Sequence, residues 1–359
     1  MDKNLLRVGE NYTWEKLRCK TENLRFINVK EEPFVIYGLY QPKTEPHFHR
    51  LPEDVAEATS VGVANLEKNP AGGRVRFRTD SQVVAIRSIA PYATLSPHTT
   101  DVSRRGFDLY QMVDGKEVFV HLYKTMTDKY DGYEGERVFE EKKMRELTIY
   151  FPLHNELTSL EIGLEEDAQL LPPEPYKIEK PIVYYGSSIT HGACASRPGL
   201  SYEARISRKM NCNFINLGFS GNCKGEQAIV DYIASLDMTA FVCDYDHNAP
   251  NPEHLRNTHE NVYRTVRAAH PNLPILLITK PDFKPDSKND QERRTIVMQT
   301  YLNGKAAGDE NLYFMDGASF FEGFDRGDCT LEGCHPNDHG FYLMAEKIGS
   351  ALQHLLHLK

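Results

Sequence analysis

Four short segments of the chain combine residue types that can carry out acyl transfer. The first is Gly186-Ser187-Ser188-Ile189-Thr190-His191-Gly192, with two adjacent hydroxyls between glycines. The second is Gly218-Phe219-Ser220-Gly221 and the third is Asp244-Tyr245-Asp246-His247-Asn248. The fourth is Glu332-Gly333-Cys334-His335-Pro336-Asn337-Asp338. A serine hydroxyl is a poor nucleophile until a base takes its proton, and histidine is suited to do so near neutral pH. The imidazole must in turn be held in one tautomer by an acid on its far nitrogen. A tetrahedral intermediate also needs preorganised donors for its negative oxygen.

The elements that must position these residues are legible as a rhythm. IVYY (182–185), FINL (214–217), AFVCD (240–244), ILLIT (275–279) and LYFMD (312–316) are short apolar runs. Helical patterns lie between them, and from Asp338 onward Phe341, Met344, Ala345, Ile348, Leu352 and Leu355 recur at helical spacing. Strand and helix alternating five times predict a flavodoxin-like, doubly wound parallel sheet of five strands, covered on both faces. Ligands bind such a sheet at the carboxyl ends of its strands. Three of the four segments follow an apolar run directly, and the fourth precedes the last helix.

Upstream the rhythm differs. Residues from about 25 to 165 read as short alternating strands separated by turns, with no long helical periodicity. MVDGKEVFV carries an Asp-Gly turn, and NPAGG reads as a hairpin connection. An all-β, jelly-roll-like sandwich is expected. LLPPEPYKIEK (170–180) reads as a linker, giving domains 1–175 and 176–359. A chain of 359 residues is long for one core, which agrees with two domains.

In their order, Gly-x-Ser-Ile-Thr, then Gly, Asn, and His followed by Pro-Asn, the segments resemble the SGNH (GDSL-like) hydrolases from about residue 180 to the end. Gly106-Phe107-Asp108-Leu109-Tyr110 resembles the GxDLY signature of the β-sandwich that precedes such domains in one subfamily. The resemblance implies Ser188 as nucleophile and His335 as base. It implies Glu332 as the orienting acid, where the family usually has Asp three residues before the histidine; Asp328 is the competing acid. It implies the backbone N–H groups of Ser188 and Gly218, with the Asn248 amide, as oxyanion donors. One position departs from the family: Ser187 stands where Asp usually precedes the nucleophile, which leaves Ser187 as a second candidate hydroxyl.

Other residues have plainer readings. Arg197, shortly after the nucleophile, is either a substrate contact or a structural loop arginine. Asp244, Asp246 and His247 bear metal-ligating groups, but acids at a strand end ordinarily satisfy loop backbone. We expect no metal and no other cofactor. His47-Phe48-His49 reads as surface loop. Phe320-Phe321-Glu322-Gly323-Phe324 either lines the pocket or packs the domain interface. Seven cysteines without a CxxC pair read as free thiols.

Lys+Arg 42 against Asp+Glu 51 gives a net charge of -9, which argues against a nucleic-acid partner. No run approaches the length of a transmembrane helix, so no membrane partner is expected. The charged N-terminus lacks the apolar stretch of a signal peptide. A cytoplasmic location is expected, with a periplasmic or secreted one, after leader removal, as the alternative. The reading is a serine esterase acting on O-acyl groups, O-acetyl included, of a carbohydrate or small polar molecule. An acyltransferase using the same acyl-serine and a non-catalytic glycan-binding protein are the alternatives. The sequence leaves open whether the β-sandwich contributes to the active site.

Overall fold

A computed structural model describes residues 17–91, 96–125, 130–281 and 284–358. Residues 1–16, the stretch read for a signal peptide, lie outside them. β1 (Leu24–Asn28) and β2 (Val35–Tyr37) open the N-terminal half, followed by α1 (Glu53–Thr59) and α2 (Val61–Leu66). Then come β3 (Arg74–Thr79), β4 (Val83–Ile89) and α3 (Asp101–Arg105). β5 (Phe107–Val113), β6 (Lys116–Tyr123), β7 (Gly132–Val138), β8 (Arg145–Tyr150), β9 (Ser159–Glu165) and β10 (Leu170–Leu171) complete it. The C-terminal half begins with β11 (Ile178–Gly186), α4 (Ser188–His191), α5 (Tyr202–Met210) and β12 (Cys212–Gly218). α6 (Gln227–Ser235), β13 (Ala240–Asp244), α7 (Pro252–Ala269), β14 (Ile275–Ile278) and α8 (Lys288–Ala306) follow. β15 (Leu312–Met315), α9 (Arg326–Cys329) and α10 (Asp338–Leu355) end the chain.

The five C-terminal strands pair in parallel in the order β12-β11-β13-β14-β15, the doubly wound arrangement expected. α5 and α10 pack on one face, while α6, α7 and α8 cover the other. Upstream, an antiparallel sheet β1-β9-β4-β7 faces a second, β10-β3-β8-β5-β6, with β2 added on β3. Their inner residues, among them Phe77, Ile86, Leu109, Ile149 and Ile162, form one core. This is the expected sandwich. Asp114 and Gly115 make the β5–β6 turn with φ 51° and 77°, as the Asp-Gly pair predicts.

Period-2 alternation explains how the halves join. Successive side chains on a strand point to opposite faces. On β3, Val75 and Phe77 enter the sandwich core, so Arg74 and Arg76 must face outward. Both arginines are nevertheless buried. Arg74 donates to Phe214 O (3.2 Å) and Asn213 Oδ1 (2.7 Å), and its guanidinium lies 4.1 Å from the Phe214 ring. On β8 and β5 the same alternation turns Tyr150 and Tyr110 into the core of the C-terminal half. It also turns Asp108 outward, where no part of it meets solvent. Its Oδ2 accepts from Arg197 Nη1 (2.6 Å) and Gly199 N–H (2.8 Å), both in the loop after α4. Within the second sheet, β3, β8 and the start of β5 are therefore buried on both faces, while β6 at the edge is half-buried to exposed.

Several expectations need correction. The N-terminal half is not helix-free: α1 and α2 are too short to show periodicity, and Ser60 separates them while capping α2 through Val63 N (3.1 Å). They persist because Leu51, Ala56 and Val63 bury against Val183, Leu217 and Ile229 of the other half. Full burial of a Leu or Val contributes roughly 1.5–3 kcal/mol, so two or three such contacts outweigh the poor helix propensity of six residues. NPAGG (69–73) joins α2 to β3, not strand to strand. Phe48 and His49 are buried, with His49 2.6 Å from Glu67 Oε2, and do not form a surface loop. The segment read as a linker is held at both ends, by β10 on β3 and by buried Tyr176 against Arg74 Nε (2.8 Å). Phe320 and Phe321 pack in the core under α10, whereas Phe324 is exposed. All seven cysteines are free thiols.

The Asp108–Arg197 pair gives the first prediction. Asp108→Ala leaves a largely buried guanidinium without its charge partner, and removing one member of a buried pair costs roughly 3–5 kcal/mol. The expected result is a markedly earlier urea midpoint, with Asp108→Asn retaining part of the loss. An unchanged midpoint for the alanine variant refutes the pairing's structural weight.

Candidate active site

The end of β11 and the turn after it form one hydrogen-bonded unit. Ser187 is extended, with φ -76° and ψ -162°, and its Oγ caps α4 by accepting from Ile189 N–H (3.1 Å). It is buried, so its hydroxyl is committed to the turn. Ser188 is the first residue of α4, and its Oγ lies 2.8 Å from His335 Nε2. Of the two candidate hydroxyls, the structure sets Ser188 against the histidine.

His335 sits on a hairpin between α9 and α10. Leu331 N–H donates to His335 O (2.9 Å), and Thr330 bridges to Pro336. Asn337 then caps α10, its Oδ1 accepting from His339 N–H (3.0 Å) and Gly340 N–H (3.1 Å). The His-Pro-Asn string thus presents a ring, stops the strand and starts a helix. Glu332 Oε1 accepts from His335 N–H (3.1 Å) and makes a short contact with ring Nδ1. With Nδ1–H given to Glu332, Nε2 is the acceptor left for the Ser188 hydroxyl. Burial raises the Glu332 carboxyl, but the hydrogen bonds from the His335 ring and backbone outweigh it and hold it below its ordinary value. Asp328 is exposed on α9, and Asn337 Nδ2 binds its backbone O (2.9 Å); Glu332 is the acid at the ring.

The donors expected for an oxyanion divide. Ser188 N–H has no acceptor among the described residues, as befits the first residue of a helical turn. Gly218 does not offer its N–H, which donates to Asn216 Oδ1 (2.9 Å). Gly218 serves packing instead: a Cβ there would lie 2.2 Å from His191 N, so the missing side chain lets α4 rest on β12. Gly221, the second glycine of that segment, has φ +72°, open space around it, and an N–H without an acceptor among the described residues. Asn248 Nδ2 donates to Phe219 O (3.1 Å), which sets its amide beside the Phe219–Gly221 turn with a second N–H to spare. Arg197 takes its structural reading: Asp108 and Tyr110 OH (2.9 Å) hold its guanidinium, which lies 4.0 Å from the Phe119 ring. Asp246 is buried and accepts from Lys280 N–H (3.3 Å), the loop role expected of a strand-end acid, whereas buried Asp244 accepts from Thr190 Oγ1 (3.4 Å) on α4.

Ser188 and His335 open onto a cleft of about 260 Å³. His191, Ala193 and Ser220 complete its C-terminal side. Of the twelve described lining residues, seven come from the other half: Leu66, Asn69, Ser96, His98, Thr99, Arg104 and His154. The β-sandwich half therefore builds most of the wall, a contribution no local pattern could announce. The His98 ring lies 5.3 Å from that of His335. Beneath the cleft, His191 donates Nε2–H to Leu153 O (2.8 Å), leaving Nδ1 to accept from Ser220 Oγ (3.0 Å). Burial lowers its pKa well below the usual value of 6.5.

That neutral His191 ties α4 to both the sandwich half and the Ser220 turn. Its imidazole binds a proton near pH 6.5 when unfolded but only far lower when folded. Its contribution is fully present above pH 6.5 and lost as the pH falls below it. Urea midpoints between pH 7.5 and about 5 are expected to fall with acid, less steeply in His191→Gln. Equal slopes for the two proteins exclude this origin.

Residues 179–353 match the family model described as GDSL-like Lipase/Acylhydrolase family, and residues 24–170 match the GxDLY model, described as the N-terminus of Esterase_SGNH_hydro-type. Among solved structures, one described as a GDSL-like lipase from Bacteroides ovatus shares 32% identity and a TM-score of 0.85, covering 94% of this chain and 99% of that one. A salicylyl-acyltransferase from a tetracycline biosynthetic pathway is 20% identical with a TM-score of 0.76, covering 95% and 100% of the two chains. An acetyl xylan esterase from the rumen bacterium Butyrivibrio proteoclasticus is 13% identical with a TM-score of 0.59, covering 93% and 99%. Comparison with curated protein sequences returns no match.

Proposed function

We propose that this chain, which belongs to the GDSL-like lipase/acylhydrolase (SGNH) family and is an ester hydrolase, cleaves small O-acyl esters of a carbohydrate or another small polar molecule through an acyl-Ser188 intermediate. The observation that carries the reading is the relay Ser188 Oγ to His335 Nε2 at 2.8 Å, with Nδ1 held by Glu332. Ser188 Oγ attacks the ester carbonyl while its proton passes to His335 Nε2. Ser188 N–H, Gly221 N–H and the free N–H of Asn248 Nδ2 face the developing oxyanion. The protonated imidazole, held in orientation by Glu332, then gives its proton to the leaving alkoxide. Water follows the same route in reverse and frees the serine.

The cleft supports the substrate class. Its volume, about 260 Å³, is just below the usual range of small-molecule sites. Hydroxyl, amide, imidazole and guanidinium groups line it beside Leu66 and Ala193, but most of its accessible surface is carbon. A short acyl group fits a cleft of this size better than a fatty chain.

Wild type is expected to hydrolyse p-nitrophenyl acetate and to lose rate steeply toward the octanoate. It should also release acetate from acetylated sugars, and a preference for octanoate would exclude the small-acyl reading. Ser188→Ala is expected to lose turnover and labelling by a fluorophosphonate probe. Ser187→Ala should still label, at a cost of about 1 kcal/mol from the lost helix cap. Labelling that survives in Ser188→Ala would displace the nucleophile assignment. Asn248→Ala is expected to lower kcat by about 10²–10³, the usual effect of losing one oxyanion donor.

A further inference from the structure

We propose that His98, Glu332 and His335 form a binding site for one divalent cation of the zinc class, and that an ion there silences the catalytic base. One ligand atom from each residue lies within 4.8 Å of the other two. The donor set, two imidazoles and a carboxylate, suits zinc and its neighbours and not magnesium or calcium, which prefer oxygen shells. Zinc holds such donors at about 2.0–2.2 Å, so the three must close to about 3.3 Å of one another. Glu332 is exposed and His98 half-buried, so side-chain rotation achieves this without disturbing a core. Three protein ligands leave the fourth tetrahedral position to water.

His335 Nε2 is engaged by Ser188, and Nδ1 is the nitrogen turned toward Glu332. An ion between Nδ1 and Glu332 takes the place of the Nδ1 proton. A neutral imidazole carries one ring proton, so that proton moves to Nε2 through solvent. No proton is lost overall and nothing is oxidised. Glu332 changes from hydrogen-bond acceptor to ligand, while Nε2 loses the lone pair that would accept the Ser188 proton. The consequence for turnover rests on the reading of His335 as base; the binding does not. His98 belongs to the sandwich half and the other two ligands to the C-terminal half, so the ion would also join the halves at the cleft mouth.

The test uses the full chain, with zinc chloride followed by calorimetry, cobalt chloride by visible absorption, and ester turnover in parallel. Wild type is expected to bind one zinc per chain, to lose turnover as the site fills and to recover with chelator. Magnesium should do neither. His98→Ala and Glu332→Gln are expected to weaken zinc binding at least about tenfold, since even partners outside the coordination shell cost that much. Inhibition of the residual turnover of His98→Ala should weaken in step, with circular dichroism checking its fold. Undiminished zinc affinity in His98→Ala overturns the site, as does zinc that leaves only with Cys194→Ser or Cys334→Ser, or no binding at all. Binding with turnover intact upholds the site and overturns the silencing, and would point to the reading of His335 as its error.

Discussion

A carboxylate taken wholly out of water needs charge and hydrogen bonds in place of its hydration, and Asp108 draws both from across the molecule through one of its oxygens. Arg197 and the Gly199 N–H satisfy its Oδ2 from the loop after α4, while Oδ1 has no hydrogen-bond partner among the described residues. Because the cost of parting them is large, sandwich and α/β half share one set of relative positions. The alternation of β5 that sends Phe107 and Leu109 into the sandwich core sends Asp108 and Tyr110 the other way. One strand thus serves two cores, and the cleft between the halves inherits its shape from that strand.

Around the cleft the same economy recurs. Ser187 gives up its hydroxyl to a cap so that Ser188 can present its own. Gly218 gives up its N–H to Asn216 and its side-chain space to α4, while Ser220 of the next turn lines the cleft. Arg50 fixes that turn from the sandwich half: it donates to Gly218 O (2.5 Å) and Leu66 O (2.6 Å), with its guanidinium 4.2 Å from the Phe219 ring. Neutral His191 closes the frame below. The reacting groups are few, and most of the surrounding polar side chains are spent on holding backbone in place.

What could be read from the residues beforehand follows from range. Ser188, Glu332 and His335 were legible because each lies in a short string whose neighbours share its purpose, such as Pro336 and Asn337 ending one element and starting another. The parallel sheet was legible because apolar runs and helical periods are local. Gly218 was misassigned because two glycines stand three residues apart, and only the Asn216 side chain, folded back on Gly218, tells them apart. Arg197 could not be decided because its partner Asp108 is 89 residues away. α1 and α2 escaped notice because their stability comes from a surface in the other half. His98 and the rest of the cleft wall carry no local signature at all.

The second sheet of the sandwich, buried on both faces along β3, β8 and the start of β5, bears on how the protein is made. Its outward face, with Arg74, Asp108, Tyr110 and Tyr150, belongs to the half that leaves the ribosome first. Domains commonly fold in that order during synthesis. A polar and aromatic surface without its partner is costly to leave idle, yet it already displays, in register, the groups that the later half must meet. The earlier half then acts as a mould on which the loop after α4 sets. The geometry of the cleft is in this sense cast against a template encoded upstream of Ser188 and His335.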